Sequence, residues 1–293
     1  MKPAPFAYVR PATLDDAVAE LAATDGDGKV LAGGQSLVPV LAMRLGRPGT
    51  LVDINAVAGL DGFERRKGAL RIGATVRQRH VERSSAAAAV PLLGLALPFV
   101  GHRELRSRGT VCGSLAHADP GAELPAVALC LGATLEITGP SGRRTVRAAD
   151  FFQGAMTTAV GPDEILSAVE FPAAGPGEGF GFAELARRHG DFALAGVVTR
   201  VRSRDGSVAD AVLSGFGVSD RPVTRDVTEL VRAAAGEADV ETALRPGTEE
   251  LARVMVDTAG DAHGSQGYRR RLFAVLAARE LARANRRATE STS

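Results

Sequence analysis

The feature that most constrains the fold of this chain is a pair of glycine-rich segments in separate parts of the sequence. The first, Ala32-Gly33-Gly34-Gln35-Ser36, follows a short predicted strand and precedes a predicted helix. The second is Arg108-Gly109-Thr110-Val111-Cys112-Gly113-Ser114. Glycine allows sharp turns and close approach of a ligand to the main chain, so successive N–H groups can point at phosphate oxygens.

Two such segments, one in each of two lobes, could hold a single diphosphate between them. Each would supply main-chain amides to one phosphate, and charge-assisted hydrogen bonds of this kind contribute roughly 1.5–3 kcal/mol each. A helix that begins directly after such a turn adds the positive end of its dipole. Taken alone, each segment also fits an ordinary turn that binds nothing, which is the commoner case.

A third candidate is the acidic segment from Asp119 to Glu123, which follows the second glycine-rich segment. Asp119 precedes Pro120, a combination that favours a turn, and Glu123 opens a predicted helix. A carboxylate at this place could accept hydrogen bonds from ribose or ribityl hydroxyls. The alternative is that both acids only stabilise the start of the helix.

The pattern of apolar residues and turn residues predicts three units and a short tail. Residues 1–56 form a first α+β lobe, with strands at 6–10, 29–31 and 50–54 and helices after Thr13 and at 37–45. The second lobe, 57–173, has strands at 69–74, 134–138, 143–146 and 165–171, helices at 75–83, 90–100 and 123–131, and a loop at 101–120.

A linker of small residues, 173–179 (AAGPGEG), separates these lobes from a C-terminal α+β domain at 179–288. This domain has an antiparallel meander of strands at 180–186, 194–202 and 208–216, followed by helices at 224–235, 248–259 and 268–286. Residues 289–293 are expected to be a frayed tail.

Composition excludes several classes of protein. The net charge is +1, from 35 basic and 34 acidic residues, which gives no electrostatic footprint for nucleic acid. The most apolar stretch, 86–101, is interrupted by Pro91, Gly94 and Pro98 and is too short to span a bilayer, so no membrane insertion is expected. The first residues do not resemble a signal peptide, and the expected location is therefore cytoplasmic.

Metal sites and common nucleotide motifs are also not expected. Cys112 and Cys130 form no C-x-x-C pair, so an iron–sulfur cluster or zinc site within the chain is not predicted, and both cysteines are interpreted as reduced thiols. No complete G-x-G-x-x-G is present, which disfavours a Rossmann fold. The five histidines are scattered without ligand spacing; His102 and His117 fall near the candidate site but are interpreted as loop residues.

At these motifs the chain resembles the FAD-binding medium subunit of molybdenum hydroxylases, the family of the xanthine and carbon monoxide dehydrogenases. The resemblance is carried by LAGGQSLVPVLAMRL, TLVDIN and LRSRGTVCGSLAHADPGAELPAVALCLGA. It continues through DFFQGAMTTAVGPDEILSAVEFP, RRHGDFALAGV and YRRRLFAVLAARELARA, and so covers nearly the whole chain in order.

The resemblance implies a vanillyl-alcohol-oxidase-type (PCMH) FAD-binding fold, in which the cofactor lies between two α+β lobes that are followed by a C-terminal α+β domain. By position, residues 32–36 match one phosphate loop and residues 110–114 the other. Many relatives carry a lysine near the flavin around Ala183 and Glu184, and this chain has none there. The implied cofactor-binding residues are Ala32, Gly33, Gly34, Gln35, Ser36, Leu37, Val100, Thr110, Val111, Gly113, Ser114, Asp119, Glu123 and Leu166.

The same resemblance implies an electron-transfer role in a heterotrimer. Substrate is hydroxylated on a large molybdopterin-binding subunit, and electrons pass through two [2Fe–2S] clusters of a small subunit to FAD. No side chain of this chain is then catalytic, and none binds a metal. One alternative is a free-standing FAD-dependent oxidase or dehydrogenase. It is disfavoured because only about 110 residues follow the linker and the chain has few aromatic residues to build a substrate pocket. The other alternative is an interaction module that has lost its cofactor.

Overall fold

The computed structural model describes residues 2–291, and its first lobe is built on a three-stranded parallel sheet. The strand order is β1-β3-β2, and helices provide the crossovers that parallel strands need. Thr13 caps the first helix by accepting a hydrogen bond from the Asp16 N–H at 3.1 Å. The elements are β1 (Ala7–Val9), α1 (Leu14–Ala22), β2 (Gly28–Leu31), α2 (Leu37–Ala42) and β3 (Thr50–Asp53).

The second lobe contains a five-stranded antiparallel sheet in the order β4-β5-β10-β6-β7, with α6 and α7 packed against it. Its core is continuous with that of the first lobe. The elements are β4 (Phe63–Arg66), β5 (Ala69–Gly73), α3 (Gln78–Arg83), α4 (Pro91–Ala96), α5 (Arg103–Arg108), α6 (Val111–His117), α7 (Glu123–Leu131), β6 (Thr134–Gly139), β7 (Gly142–Arg147), α8 (Ala148–Phe151), β8 (Phe152–Gly154), β9 (Thr157–Thr158) and β10 (Ile165–Pro172).

The C-terminal domain is an antiparallel meander, β11-β12-β13-β14, covered by the long helix α11. Gly179 and Gly181 let this helix approach the sheet, because a Cβ on either would lie within 2.5 Å of a helix carbonyl oxygen. The elements are β11 (Glu178–Leu185), β12 (Ala195–Arg204), β13 (Ser207–Phe216), β14 (Val223–Asp226), α9 (Thr228–Ala234), α10 (Val240–Met255), β15 (Gly260–Asp261), β16 (Gly264–Ser265) and α11 (Gln266–Glu290).

The predicted fold is confirmed in its α+β class, its two lobes and its C-terminal meander. The prediction of a loop at 101–120 is wrong. That segment contains the two short helices α5 and α6. Helices of six or seven residues are marginal by propensity and depend on tertiary contacts. Here Arg106 of α5 is buried in an ion pair with Glu82 of α3, a contact that local composition could not reveal.

Several element boundaries also differ from the predictions. The helix predicted at 75–83 begins only at Gln78, and the one at 90–100 ends at Ala96 and continues as a short 3-10 helix, Leu97–Phe99. Residues 224–226, predicted as the start of a helix, pair with β13 instead. The helix predicted at 248–259 runs from Val240 to Met255 and contains Pro246. It begins at Val240 because Asp239 provides its cap by accepting from the Thr242 N–H.

Thr289 and Glu290, which were predicted to fray, form the end of α11, and Ser291 is its C-cap; Thr292 and Ser293 lie outside the described residues. Cys112 and Cys130 are free buried thiols, and burial raises the pKa of each to about 12. Across residues 2–291, no helix has the length and apolar character needed to cross a bilayer.

Candidate functional site

The first glycine-rich segment forms a tight turn, residues 32–36, between β2 and α2; we call it the first turn. Gly34 adopts φ +73°, which favours glycine. Gly33 is buried, and a Cβ there would lie 2.4 Å from the Arg108 carbonyl oxygen and 2.8 Å from Gly109 Cα. The first turn therefore touches the main chain that leads into the second glycine-rich segment.

The main chain of the first turn offers hydrogen-bond donors. Within residues 2–291, the N–H groups of Gly34, Gln35 and Ser36 donate to no other protein atom. The side chain of Gln35 instead folds back to donate to the Gly33 carbonyl at 3.1 Å. Successive unmatched N–H groups in a turn form a concave site for an anion.

The second glycine-rich segment, which was predicted as a loop, contains the start of helix α6. We call residues 110–114, the cap and opening turn of this helix, the second turn. Thr110 is the N-cap, and its Oγ1 accepts the Gly113 N–H at 2.9 Å. Val111 is fully buried and its N–H donates to the Val76 carbonyl, so it faces the core. Gly113 and Ser114 are only partly buried and are the members of the second turn that reach the surface.

Side chains from both lobes join the two turns. Asn55 Nδ2 donates to the Ala32 carbonyl at 2.8 Å, and Asn55 Oδ1 accepts from Arg77 Nη2 at 2.6 Å. Arg77 Nη1 donates to the Arg108 carbonyl at 2.6 Å. The residues after Arg77 also pair with the second segment, since the Gln78 N–H donates to the Gly109 carbonyl at 2.8 Å.

The acidic segment forms the turn between α6 and α7. Asp119 Oδ1 accepts the Gly121 N–H at 2.8 Å, which fixes the turn. Glu123 is the first residue of α7 and is only 5% exposed. Burial, with the nearby charge of Asp119, raises the pKa of the Glu123 carboxyl to about 7. Within the part of the chain that the structure describes, Glu123 forms no ion pair that would offset the cost of desolvating its carboxyl.

The C-terminal domain reaches the same acidic turn. The Gly217 N–H donates to the Pro120 carbonyl at 2.8 Å, and Phe192 packs against Gly121. Glu184, at the position where lysine was noted to be missing, has a buried Oε2 atom that has no hydrogen-bond partner among the described residues. Burial and the charge of Glu123 raise the pKa of Glu184 to about 8.

These two carboxyl groups predict a pH dependence of stability. Their pKa values are raised above about 4.3, the value of an unfolded glutamate, so their contribution is present at low pH and lost as pH rises through about 7 to about 8. We expect the thermal midpoint of the FAD-free protein to fall between about pH 5 and about pH 8 and to level off above that range. Glu184→Gln should flatten this fall, whereas the exposed Glu249→Gln should not; equal slopes in both variants would contradict the assignment.

Of the two apolar candidates, Val100 lies in a segment whose main chain is held by a side chain of the site. Arg106 Nη1 donates to the Val100 and Gly101 carbonyls at 3.1 and 3.0 Å, and Gly101 has φ +53°. Leu166 is 5% exposed and lies in β10, the strand on which α6 packs. Contact of either residue with a ligand stays a prediction.

The structure brings together the first turn and the start of the second and places the acidic turn at the other end of α6. Sequence reasoning missed Asn55, Arg77 and Arg106. A weak signal for Asn55 was its position just after a buried strand, in TLVDIN. Arg106 lies in the segment beginning LRSRGTV that carries the resemblance but was given no role, and nothing in the sequence connected Arg77 with the site.

The residues present fit a dinucleotide with a diphosphate. The first turn has N–H groups without a protein acceptor, and only glycine fits at position 33, because a Cβ would meet the Arg108 carbonyl oxygen. A glycine main chain can also approach a phosphate closely. The buried Glu123 carboxyl can accept hydrogen bonds from hydroxyl groups of a bound nucleotide. Two α+β lobes that meet at such turns define the class of flavoproteins that bind FAD between two lobes.

Comparison with known proteins identifies the family. Residues 4–174 match the model of the FAD binding domain in molybdopterin dehydrogenase, and residues 180–284 match the CO dehydrogenase flavoprotein C-terminal domain. The chain belongs to this family of FAD-binding medium subunits of molybdenum hydroxylases. The predicted family, the fold class and FAD as the cofactor are confirmed.

Two relatives and one solved structure match over nearly their full length. The carbon monoxide dehydrogenase medium chain of Afipia carboxidovorans is 34% identical, over 98% of this chain and 99% of the relative. The nicotine 6-hydroxylase medium subunit of Paenarthrobacter nicotinovorans is 36% identical, over 98% and 100%. Among solved structures, reconstituted CO dehydrogenase from Oligotropha carboxidovorans superposes with a TM-score of 0.89 at 32% identity, covering 98% of this chain and 100% of that chain.

Proposed function

We propose that this chain holds FAD between residues 1–56 and 57–173 and passes electrons from an iron–sulfur subunit to a terminal acceptor. The observation that carries the proposal is the contact between Gly33 of the first turn and Arg108, which leads into the second turn; unmatched amides lie beside a glycine that tolerates no side chain. Residues 179–288 form the third unit, which contacts the acidic turn through Gly217.

Each candidate residue has a role in holding the cofactor. The amides of Gly34, Gln35 and Ser36, with the flanking Ala32, Gly33 and Leu37, receive one phosphate. The start of α6, at Thr110, Gly113 and Ser114, faces the other phosphate, and the buried Val111 anchors this start through the hydrogen bond from its N–H to the Val76 carbonyl. Asp119 and Glu123 accept hydrogen bonds from ribose or ribityl hydroxyls. Val100 and Leu166 supply apolar surface for the rings.

When bound, FAD accepts electrons singly and delivers them in pairs, which suits a junction between one-electron and two-electron carriers. The protein residues named above bind and orient the cofactor. They need not transfer protons, so we assign no catalytic residue. The raised pKa of Glu123, about 7, makes its carboxyl available as a neutral donor as well as an acceptor.

The partners are a large molybdopterin-binding subunit and a small subunit with two [2Fe–2S] clusters, in a cytoplasmic complex. The names of the relatives support this proposal, because they are medium chains and medium subunits of dehydrogenases and a hydroxylase. The composition of the chain supports it too: two buried cysteines are too few to ligate such clusters.

The proposal is tested by purifying the complex through a tag on this chain from cells that express it natively. We expect molybdenum, iron and FAD to co-purify at about one to four to one, the content of one molybdenum centre and two [2Fe–2S] clusters. Mass spectrometry should identify one larger and one smaller polypeptide. A yellow, metal-free protein that reduces its flavin with a substrate of its own would establish the free-standing flavoenzyme instead.

A further inference from the structure

We propose that Asn55 and Arg77 are positioning residues for FAD, acting as a brace that sets the distance between the two turns. The inference rests on FAD binding by this site and goes beyond it, because neither side chain belongs to a turn. The brace is a continuous path of three hydrogen bonds. It runs from the Ala32 carbonyl through Asn55 and Arg77 to the Arg108 carbonyl, at 2.8, 2.6 and 2.6 Å.

The orientation of the Asn55 amide is fixed by a second set of contacts. Asp53 Oδ1 accepts from the Asn55 N–H at 2.9 Å and from Asn55 Nδ2 at 2.5 Å. Asp53 is itself held, since its Oδ2 accepts from the Tyr8 hydroxyl at 2.5 Å. Because Nδ2 is committed to Asp53 and Ala32, Oδ1 is left to accept from Arg77.

Arg77 acts at the place where the turns touch. The Arg108 carbonyl that it holds is the same oxygen that would lie 2.4 Å from a Cβ on Gly33. The main chain on both sides of Arg77 is anchored to the second segment, by an antiparallel bridge between Arg77 and Thr110 and by the Gln78–Gly109 hydrogen bond. Loss of the brace would therefore free the first turn relative to the second.

A bracing role differs from simple attraction between the Arg77 charge and phosphate. The guanidinium uses two separate nitrogens, one toward Asn55 and one toward Arg108. A lysine keeps the charge but offers a single compact ammonium, which does not reproduce a planar fork. Bracing therefore predicts that Arg77→Lys fails, whereas electrostatic attraction predicts that it succeeds.

The experiment titrates FAD-free protein with FAD, and separately with FMN, and follows flavin fluorescence. FMN carries one phosphate and does not need both turns at a fixed distance. We expect Asn55→Ala and Arg77→Lys each to weaken FAD binding by about tenfold or more, and FMN binding by less than about threefold. The control is Arg83→Lys, which changes an exposed arginine at the end of α3, the helix whose N-cap is Arg77. This variant should bind both flavins as the unmodified protein does.

A double variant tests whether the two residues act as one unit. If they form a single path, Asn55→Ala with Arg77→Lys should bind FAD within about threefold of the weaker single variant, instead of showing the product of both effects. Thermal unfolding of each FAD-free variant reports general destabilisation separately. Full FAD affinity in Arg77→Lys, equal losses for FAD and FMN, or multiplicative effects would each overturn the proposal. Failure of the unmodified protein to bind FAD would instead overturn the proposed function.

Discussion

Replacing Gly33 with valine should abolish the retention of FAD while the two lobes and the C-terminal domain remain folded. The added Cβ would lie 2.4 Å from the Arg108 carbonyl oxygen and 2.8 Å from Gly109 Cα. Both neighbours are main-chain atoms, so neither can swing aside as the end of a flexible side chain can. The first turn must then move away from the second, and two phosphate-binding turns no longer face one ligand.

The expected loss is about 100-fold or more in FAD affinity, which corresponds to the roughly 1–3 kcal/mol typical of overpacking together with lost phosphate contacts. The measurement is the flavin absorbance at about 450 nm that remains after desalting, which reports bound cofactor. Titration with FAD follows. The control is Gly175→Val, because a Cβ at Gly175 meets no atom within 4 Å. Gly33→Val protein that stays yellow would refute the placement of the diphosphate.

Gly113→Val should act in the same direction for a different reason. A Cβ at Gly113 would lie 2.6 Å from Thr110 Oγ1, the atom that caps α6. The threonine side chain can rotate away, but the helix then loses an N-cap that contributes about 1 kcal/mol. We therefore expect FAD retention to be lost with Gly113→Val as well, and the free energy of unfolding of the FAD-free protein to fall by about 1 kcal/mol, measured by denaturant unfolding.

The first turn was predictable from sequence because what it needs is local, whereas the second, which lies in a segment predicted as a loop, is the start of a helix. Gly34 at φ +73° and the strand-to-helix order around residues 32–36 are encoded in adjacent residues. The acidic turn was predictable for the same reason, since Asp119 precedes proline and Glu123 begins a helix. These features depend on backbone preferences that operate over a few residues.

The rest of the site depends on contacts between distant parts of the chain. Asn55 meets Ala32 across 23 positions, and Arg77 meets Arg108 across 31. Each of these residues is an ordinary polar side chain in sequence, and only the packing of the lobes makes it a partner. Similarly, the predicted loop at 101–120 is helical because tertiary hydrogen bonds compensate for weak propensity.

Glu184 shows a related difference between sequence and structure. Sequence indicated only that lysine is missing near this position. In the fold, β11 places the Glu184 carboxyl close enough to the charge of Glu123 to raise the pKa of Glu184, although the two residues belong to different domains. The C-terminal domain therefore contributes to the electrostatics of the acidic turn, which its separate family match does not reveal.

Replacing Arg106 with methionine should destabilise the second lobe more than any exposed arginine substitution. Arg106 is 6% exposed, and its Nε and Nη2 donate to the Glu82 carboxylate at 3.0 and 3.1 Å. Its Nη1 also binds the carbonyls of Val100 and Gly101. Removing one partner of a buried ion pair typically costs about 3–5 kcal/mol. Glu82 keeps its ion pair with Arg79 at 2.9 Å while the carbonyl groups lose their hydrogen bonds, so we expect a cost at the lower end of that range.

The cost should depend on the charge left behind on Glu82. Burial alone would raise the pKa of this carboxyl, but hydrogen bonds from Arg106 and Arg79 outweigh burial and lower it. The contribution of the pair is accordingly present at neutral pH and is lost as pH falls through the lowered pKa. Unfolding in denaturant at neutral pH measures it, with the exposed Arg103→Met on the same helix as control.

A double variant separates the loss of the ion pair from the loss of packing. In Arg106→Met with Glu82→Gln, no uncompensated carboxylate remains, so we expect about 1–2 kcal/mol of the stability lost in Arg106→Met to return. FAD affinity should not return with it, since the Val100 and Gly101 carbonyls still lack the guanidinium that holds their turn. Recovery of both properties together would mean that Arg106 stabilises the lobe without shaping the cofactor site.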